Sequence, residues 1–343
     1  MVMKMGKKRI CVVGAGSIGR RHIRLLNERD DVSLSIVEPF EKSYQRIVDE
    51  IGTFRRFESI EEALASGEVD AVAIATPHGM HADMAIKALN AGTDVFCEKP
   101  MSDSLPDCVK MLEAVRKSGR VFQTGFMFRF DPFIKKMKEI IESGRIGDVV
   151  YYSSRFCSYN ILLCSVTKHQ KDHPYSLPMD TIHDTDLLHY FTGRIPDRVY
   201  ACGYQAGNLE FSSAPNFLDV IYRYDDGKLG AMSHFDYVVH PQVHDLMIAG
   251  DKGYIGGDCM TGEITVGSTD GSKETLTVSR DGDDIYRAEW QSFIEAINGE
   301  HSPENPAESA IVATLLLQCQ IDSAKNGKEV DVAEVARSAG FVY

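Results

Sequence analysis

The spacing of apolar residues changes character near residue 125. Before it, short and almost unbroken apolar runs (Ile10–Val13, Leu34–Val37, Ala71–Ala75, Val95–Cys97, Val121–Phe122) alternate with stretches whose apolar residues recur every three or four positions. An unbroken run fits a strand covered on both faces, and the three-to-four period fits a helix with one buried stripe. Helices are therefore predicted over residues 18–26, 41–51, 59–65, 82–90 and 105–118. Ser59 is placed to cap its helix ahead of Glu61 and Glu62, and Gly92 to end the fourth. Strand and helix in strict alternation predict a doubly wound parallel sheet with right-handed crossovers, occupying residues 1–125.

From residue 126 the rhythm lengthens. A helical pattern over 132–143 gives way to strand-like segments at 149–156, 198–204, 217–224, 229–237 and 244–249. Asp225-Asp226-Gly227 and Gly250-Asp251-Lys252-Gly253 supply turns between them. Helices are expected again at 288–298 and 307–325. Long strands with short turns predict an α+β layer over 126–343 with helices on one face. The other face needs water or a partner, and a homo-oligomer (dimer or tetramer) formed through this sheet is the simplest cover.

Composition adds limits. A chain of 343 residues can hold two cores, and 43% hydrophobic with 25% charged residues is ordinary for a globular protein. The net charge of −13 argues against general affinity for nucleic acid or an anionic membrane surface. No apolar stretch approaches the ~18 residues of a membrane helix, and no secretory signal is apparent. Eight cysteines without a Cys-x-x-Cys pair suit reduced thiols in a cytoplasmic protein.

The chemistry begins at the first turn. Gly14-Ala15-Gly16-Ser17-Ile18-Gly19 follows a strand and opens a helix, the context in which Gly-x-Gly-x-x-Gly cradles a dinucleotide pyrophosphate on helix N–H groups. Glu38 closes the second strand, where a carboxylate takes ribose hydroxyls and repels a 2′-phosphate, favouring NAD over NADP. Ligands in such sheets bind beyond the strands' carboxyl ends, so Thr76, Pro77, Glu98 and Lys99 belong to the cofactor edge, with His81 nearby. Hydride transfer needs a group for the hydroxyl proton and one for the substrate oxygen. The Lys99 ammonium, at a strand mouth, suits the oxygen. His183 suits the proton, and Asp180, three residues earlier, would share its face on one helix or cap that helix. Arg129, Arg155, Tyr159 and His169 are further candidates for a polyhydroxylated small-molecule substrate. No metal site is expected, since no cysteine joins His169, His173, His183 and His189. Trp290, on an apolar helical stripe, is read as core.

Together, Gly14-x-Gly16-x-x-Gly19, Ala75-Thr76-Pro77-x-x-x-His81, Ala91-Gly92-x-x-Val95-x-x-Glu98-Lys99-Pro100 and Gly125-Phe126-x-x-Arg129-Phe130 resemble the glucose-fructose oxidoreductase / inositol dehydrogenase (Gfo/Idh/MocA) family. Asp236-Tyr237 and Gly250-Asp251-Lys252-Gly253 extend the likeness late into the chain. The resemblance implies an NAD(P)-dependent oxidoreductase acting on a secondary alcohol of a sugar, nucleotide sugar or cyclitol, and a second domain built on an open, mainly antiparallel sheet. It also implies His183 as the acid–base residue, Lys99 as its partner in catalysis and Asp180 as a substrate-binding or His-orienting carboxylate. Many members carry that carboxylate four residues before the histidine, where this chain has Met179. An NAD-dependent glycosidase and a non-catalytic NAD-sensing protein are the alternatives.

Overall fold

A computed structural model of the chain describes residues 6–157, 176–205, 215–239 and 241–343. The five unbroken runs, joined by the short β3, become six parallel strands: β1 (Lys8–Val13), β2 (Val32–Val37), β3 (Arg55–Phe57), β4 (Ala71–Ile74), β5 (Asp94–Cys97) and β6 (Phe122–Thr124). Their order is β3-β2-β1-β4-β5-β6, a reversal on either side of β1 and β4. Between them run α1 (Ser17–Asn27), α2 (Glu41–Glu50), α3 (Ile60–Ala65), α4 (His81–Asn90) and α5 (Leu105–Ser118). Ser59 caps α3 by accepting from the Glu62 N–H, and Gly119 ends α5 in the left-handed conformation. Ile10, Val12, Ala71, Ala73 and Phe96 are fully buried, as strands covered on both faces require.

Among the described residues the second sheet has nine strands. It contains β7 (Val149–Cys157), β8 (Arg198–Tyr204), β9 (Phe217–Arg223), β10 (Gly230–Asp236), β11 (Val243–Gly250), β12 (Gly253–Asp258), β13 (Glu263–Ser268), β14 (Lys273–Thr277) and β15 (Val330–Asp331). The order is β14-β13-β12-β11-β7-β10-β9-β8-β15, antiparallel throughout except for the parallel pair β7–β10. Helix α6 (Pro132–Glu142) precedes it; α7 (Ser176–Asp180) and α8 (Ile182–Thr192) follow β7. Toward the end come α9 (Asp284–Ile297), α10 (Ala307–Asn326) and α11 (Val332–Ser338). β9 alternates buried and exposed residues, so one face of the sheet is covered and the other open.

By contacts the chain divides into Met1–Met127 with Gly282–Ile311, and Phe128–Asp281 with Val312–Tyr343. A single cut at 125/126 therefore does not describe it. The stripe of α9 packs on the first sheet: Trp290 stacks on Phe96 at 4.6 Å, with Phe293 edge-on at 5.8 Å. Local periodicity shows that α9 has an apolar face, but not which sheet that face covers. Sequence reading also passes over β12 to β14, because glycines interrupt the alternation in β12 and β13 and β14 is almost wholly polar and exposed. At Gly267 a Cβ would lie 2.2 Å from the Tyr254 ring, and at Gly257 2.6 Å from Phe133. These glycines make room for neighbouring rings rather than for a turn.

Candidate active site

In the first unit the candidate groups gather at the carboxyl ends of the parallel strands. Gly14 has φ +96°, and a Cβ on it would meet the Ala75 carbonyl at 2.8 Å. A Cβ on Gly19 would lie 2.1 Å from the Gly14 carbonyl oxygen, so α1 can pack this closely on the turn only with glycine there. Gly16 is different: among the described residues none but its chain neighbours lies within 4 Å of where its Cβ would stand. The space on that side is open toward the start of α1, where Ser17 and Ile18 occupy the first helical positions. That helix has neither a side-chain cap nor an acidic residue in its first turn. Its leading N–H groups are thus left to an external acceptor.

Glu38 stands beside this turn. Its carboxylate accepts from the Ala15 N–H and from the Phe40 N–H, both at 3.0 Å, and it is buried. Each oxygen keeps a lone pair for a further donor such as a ribose hydroxyl. Arg20, at the start of α1, donates to the Ala15 carbonyl and pairs with Glu50 at 3.3 Å. Open space at Gly16, an uncapped helix start and a fixed carboxylate together fit a dinucleotide with free ribose hydroxyls.

A buried polar chain fixes the Glu98-Lys99-Pro100 segment. The Trp290 indole donates to Nδ1 of His22 at 3.0 Å, so the ring hydrogen sits on Nε2, which donates to Glu98 at 2.8 Å. The second Glu98 oxygen accepts from the Lys99 N–H at 3.1 Å. Burial pushes the Glu98 carboxyl up, but the His22 bond and the nearby Lys99 charge outweigh it and hold the group below the usual carboxylate range. A Cβ at Gly125 would come within 3.1 Å of this carboxyl, which accounts for glycine there. Among the described residues the half-buried Lys99 ammonium has no ion-pair partner. His81 lies between the Thr76 and Pro100 carbonyls, 2.9 Å from each. Burial lowers its pKa, so the neutral ring donates to one of them at a time and joins the ends of β4 and β5. Trp290 is core, as expected, and it also sets the tautomer of His22. Glu289, on the same helix, is fully buried with neither oxygen hydrogen-bonded among the described residues. Burial and then the Glu98 charge push its carboxyl well above the usual range.

In the second unit the groups sit on a helix. Asp184, Thr185 and Asp186, consecutive in α8, are each fastened separately. Asp184 pairs with His244 at 3.1 Å, Thr185 accepts from Gln320 at 3.0 Å, and Asp186 takes Arg129 in two bonds of 2.8 and 2.6 Å. His183 is thereby held in place, 6% exposed and 4.7 Å from the Phe128 ring. Burial works against a charge on His244, but the Asp184 carboxylate outweighs it and raises the imidazole well above its ordinary range. Asp180 and His183 do not share a continuous helix: α7 ends at Asp180, Thr181 makes the break, and α8 starts at Ile182. Nor does Asp180 cap α8, whose cap position is Thr181. Instead its carboxylate accepts from the Tyr237 hydroxyl, a partner that sequence quoted only as a landmark.

Two other candidates lie elsewhere. Arg129 is buried against Asp186 and stacked over Tyr190 at 5.0 Å, which makes it an anchor for α8. Arg155 alternates with Phe156 on β7. Phe156 shares the covered face with His244, at 4.6 Å between ring centres, whereas Arg155 is exposed on the open face and paired with Asp245. There it lines a hollow of about 600 Å³ with His234, Met232 and Tyr254, on the opposite side of the sheet from His183. Tyr159 and His169 lie outside the described residues.

A glycine turn with an anchored acid on the second strand, and a lysine at the mouth of the fifth, define a dinucleotide-dependent oxidoreductase. The chain belongs to the Gfo/Idh/MocA family. Residues 8–126 match its "Oxidoreductase family, NAD-binding Rossmann fold" domain and residues 134–256 its C-terminal domain. The protein is an NAD-dependent oxidoreductase of the class that acts on CH–OH groups. It is similar to the myo-inositol 2-dehydrogenase of Thermotoga maritima, 28% identical over 95% of this chain and 99% of that one. The scyllo-inositol 2-dehydrogenase (NAD(+)) of Bacillus subtilis is 29% identical over 94% and 96%. Among solved structures, scyllo-inositol dehydrogenase from Lactobacillus casei with bound NAD(H) and scyllo-inositol superposes with a TM-score of 0.83. It is 23% identical over 95% of this chain and 99% of that one, a likeness that speaks to the fold. No helix among the described residues is long and apolar enough to cross a membrane.

Proposed function

We propose that the protein oxidises a secondary alcohol of a cyclitol or related polyhydroxylated substrate, with Lys99 and His183 as the catalytic pair. The observation that carries this reading is the end-to-end match to an enzyme named myo-inositol 2-dehydrogenase, by a chain with a lysine at the mouth of β5 and a histidine on α8. Bound NAD supplies the hydride acceptor. Gly14, Gly16, Ser17, Ile18 and Gly19 receive its pyrophosphate and Glu38 its ribose, while Thr76, Pro77, His81 and Glu98 shape the edge where the ring would lie. Lys99 donates a hydrogen bond to the substrate oxygen. His183 accepts the hydroxyl proton as the carbinol carbon becomes a carbonyl. Asp180, held by Tyr237, accepts from a second substrate hydroxyl. Arg129 acts from behind, through Asp186, by holding α8.

We place the protein in the cytoplasm, consistent with unpaired cysteines among the described residues. Copies would pair through the open face of the second sheet, where Ile221, Met232 and Met247 are exposed. The test is to incubate purified protein with NAD and a panel of cyclitols, sugars and nucleotide sugars while following absorbance of the reduced nicotinamide. Cyclitol-dependent NADH formation is expected. Free sugar released without net NADH would favour glycosidic cleavage instead, and NAD binding without turnover on any panel member would favour a sensor.

A further inference from the structure

The second sheet brings together three metal-binding side chains that are far apart in sequence. Cys157 ends β7, and His234 and Asp236 stand two residues apart on β10. The two strands run parallel with Cys157 opposite Asp236 and Arg155 opposite His234, so these side chains share one face. The Cys157 sulfur, a His234 nitrogen and an Asp236 oxygen lie within 4.8 Å of one another. Cys157 and Asp236 are buried.

His234 is caught between two carboxylates. Its Nδ1 is 2.6 Å from Asp219 on neighbouring β9, and its Nε2 is 3.0 Å from Asp236. A neutral imidazole has one N–H, so one of these nitrogens would turn a lone pair toward a carboxylate oxygen. Either a second ring proton or a cation at Nε2 removes that conflict. With Nδ1–H given to Asp219, the ring has the carboxylate–histidine arrangement that orients metal-bound imidazoles. Asp236 is also fixed: its Oδ1 accepts from the N–H groups of Val238 and Val239 at 2.7 and 2.6 Å, which leaves Oδ2 facing His234. The neighbouring charge of Arg155 is matched by Asp245.

We propose that Cys157, His234 and Asp236 bind a divalent transition-metal ion, with zinc the best fit. Thiolate, imidazole and carboxylate are a zinc donor set, and the two anionic ligands balance the ion's charge. Zinc–ligand bonds of about 2.0–2.3 Å require donor atoms roughly 3.3–3.8 Å apart, so small side-chain rotations close the site. A fourth position stays open to water. The ion ties the ends of β7 and β10 together one residue before Tyr237, the partner of Asp180. Its role is to clamp the strands, apart from the hydride chemistry.

The test uses tag-free full-length protein, stripped with a chelator and titrated with Co²⁺ and then Zn²⁺. One equivalent of Co²⁺ with a thiolate-to-cobalt charge-transfer band is expected, abolished in Cys157→Ser and by one equivalent of zinc. Asp219→Asn should keep the stoichiometry and weaken affinity by about 10–100-fold. Zinc should raise the Tm of the parent protein but not of Cys157→Ser. Circular dichroism and NAD binding establish that each variant is folded. A charge-transfer band that survives Cys157→Ser, or folded parent protein that takes up no metal, overturns the proposal and leaves an imidazolium between the two carboxylates.

Discussion

The two sheets hold their candidate chemistry in opposite ways. In the parallel sheet the strands are short and buried on both faces, so functional groups appear where strands stop: Gly14 after β1, Glu38 after β2, Thr76 after β4, Glu98 and Lys99 after β5. Backbone N–H and carbonyl groups do most of the fixing there, as at Glu38 and His81. In the mixed sheet the strands are long and half-covered, and the chemistry rides on α8, a helix fastened by side chains through Asp184–His244, Thr185–Gln320 and Asp186–Arg129. A site on strand ends inherits its geometry from the ladder. One on a helix must be anchored by pairs, and such pairs are where substitution costs most.

That contrast can be broken first at the reacting groups. Lys99→Ala and His183→Ala should each lower kcat/KM by about 10²–10⁴-fold with the fold intact by circular dichroism. Near-normal turnover in both would remove the proposed roles. Asp186→Ala should come next, costing about 3–5 kcal/mol in urea unfolding, because it breaks a buried ion pair by removing the acceptor of both Arg129–Asp186 bonds. Pairing it with Arg129→Met should recover much of the loss if the cost lies in the broken ion pair rather than in a lost shape.

The strand-end site is sharpened by two glycines. Gly19→Ala should lose about 1–3 kcal/mol, since its Cβ meets backbone at 2.1 Å. Gly16→Ala should leave Tm almost unchanged yet weaken NAD binding, measured by titration calorimetry, because only a bound pyrophosphate would meet the new methyl.

Two pH profiles give the smallest effects; in both the group's contribution falls as pH rises, but the parent is the more stable partner in the first comparison and the less stable in the second. His244 is raised in the folded state, so its pairing with Asp184 stabilises fully below the unfolded value of about 6.5 and fades as pH rises through the folded value. The Tm gap between parent and His244→Gln should therefore be widest in mild acid and narrow in alkali. Glu289 is an acid with a raised folded pKa. Stability is lost as pH rises from its unfolded value of about 4.3 toward the folded one, so Glu289→Gln should be more stable than the parent near pH 7 and equal to it below pH ~4.

Much of this molecule was legible in residue order, for a physical reason: strand burial, helix periodicity, caps and the glycine turn are local. Ile10–Val13 running into Gly14-x-Gly16-x-x-Gly19, with Glu38 closing the next strand, needs only neighbours along the chain to be recognised. Alternation likewise announces a half-covered sheet in the second half, even where glycines hide β12 and β13. Contacts between distant residues were decided by tertiary structure alone. Only register shows that Arg155 faces away from Phe156 and His183, that Arg129 is spent on Asp186, and that Cys157 meets His234 and Asp236. Only packing turns Trp290 from a core residue into the group that sets a histidine's tautomer. Hydrophobic period fixes which face a side chain takes, while the pairing of distant elements fixes what that face meets.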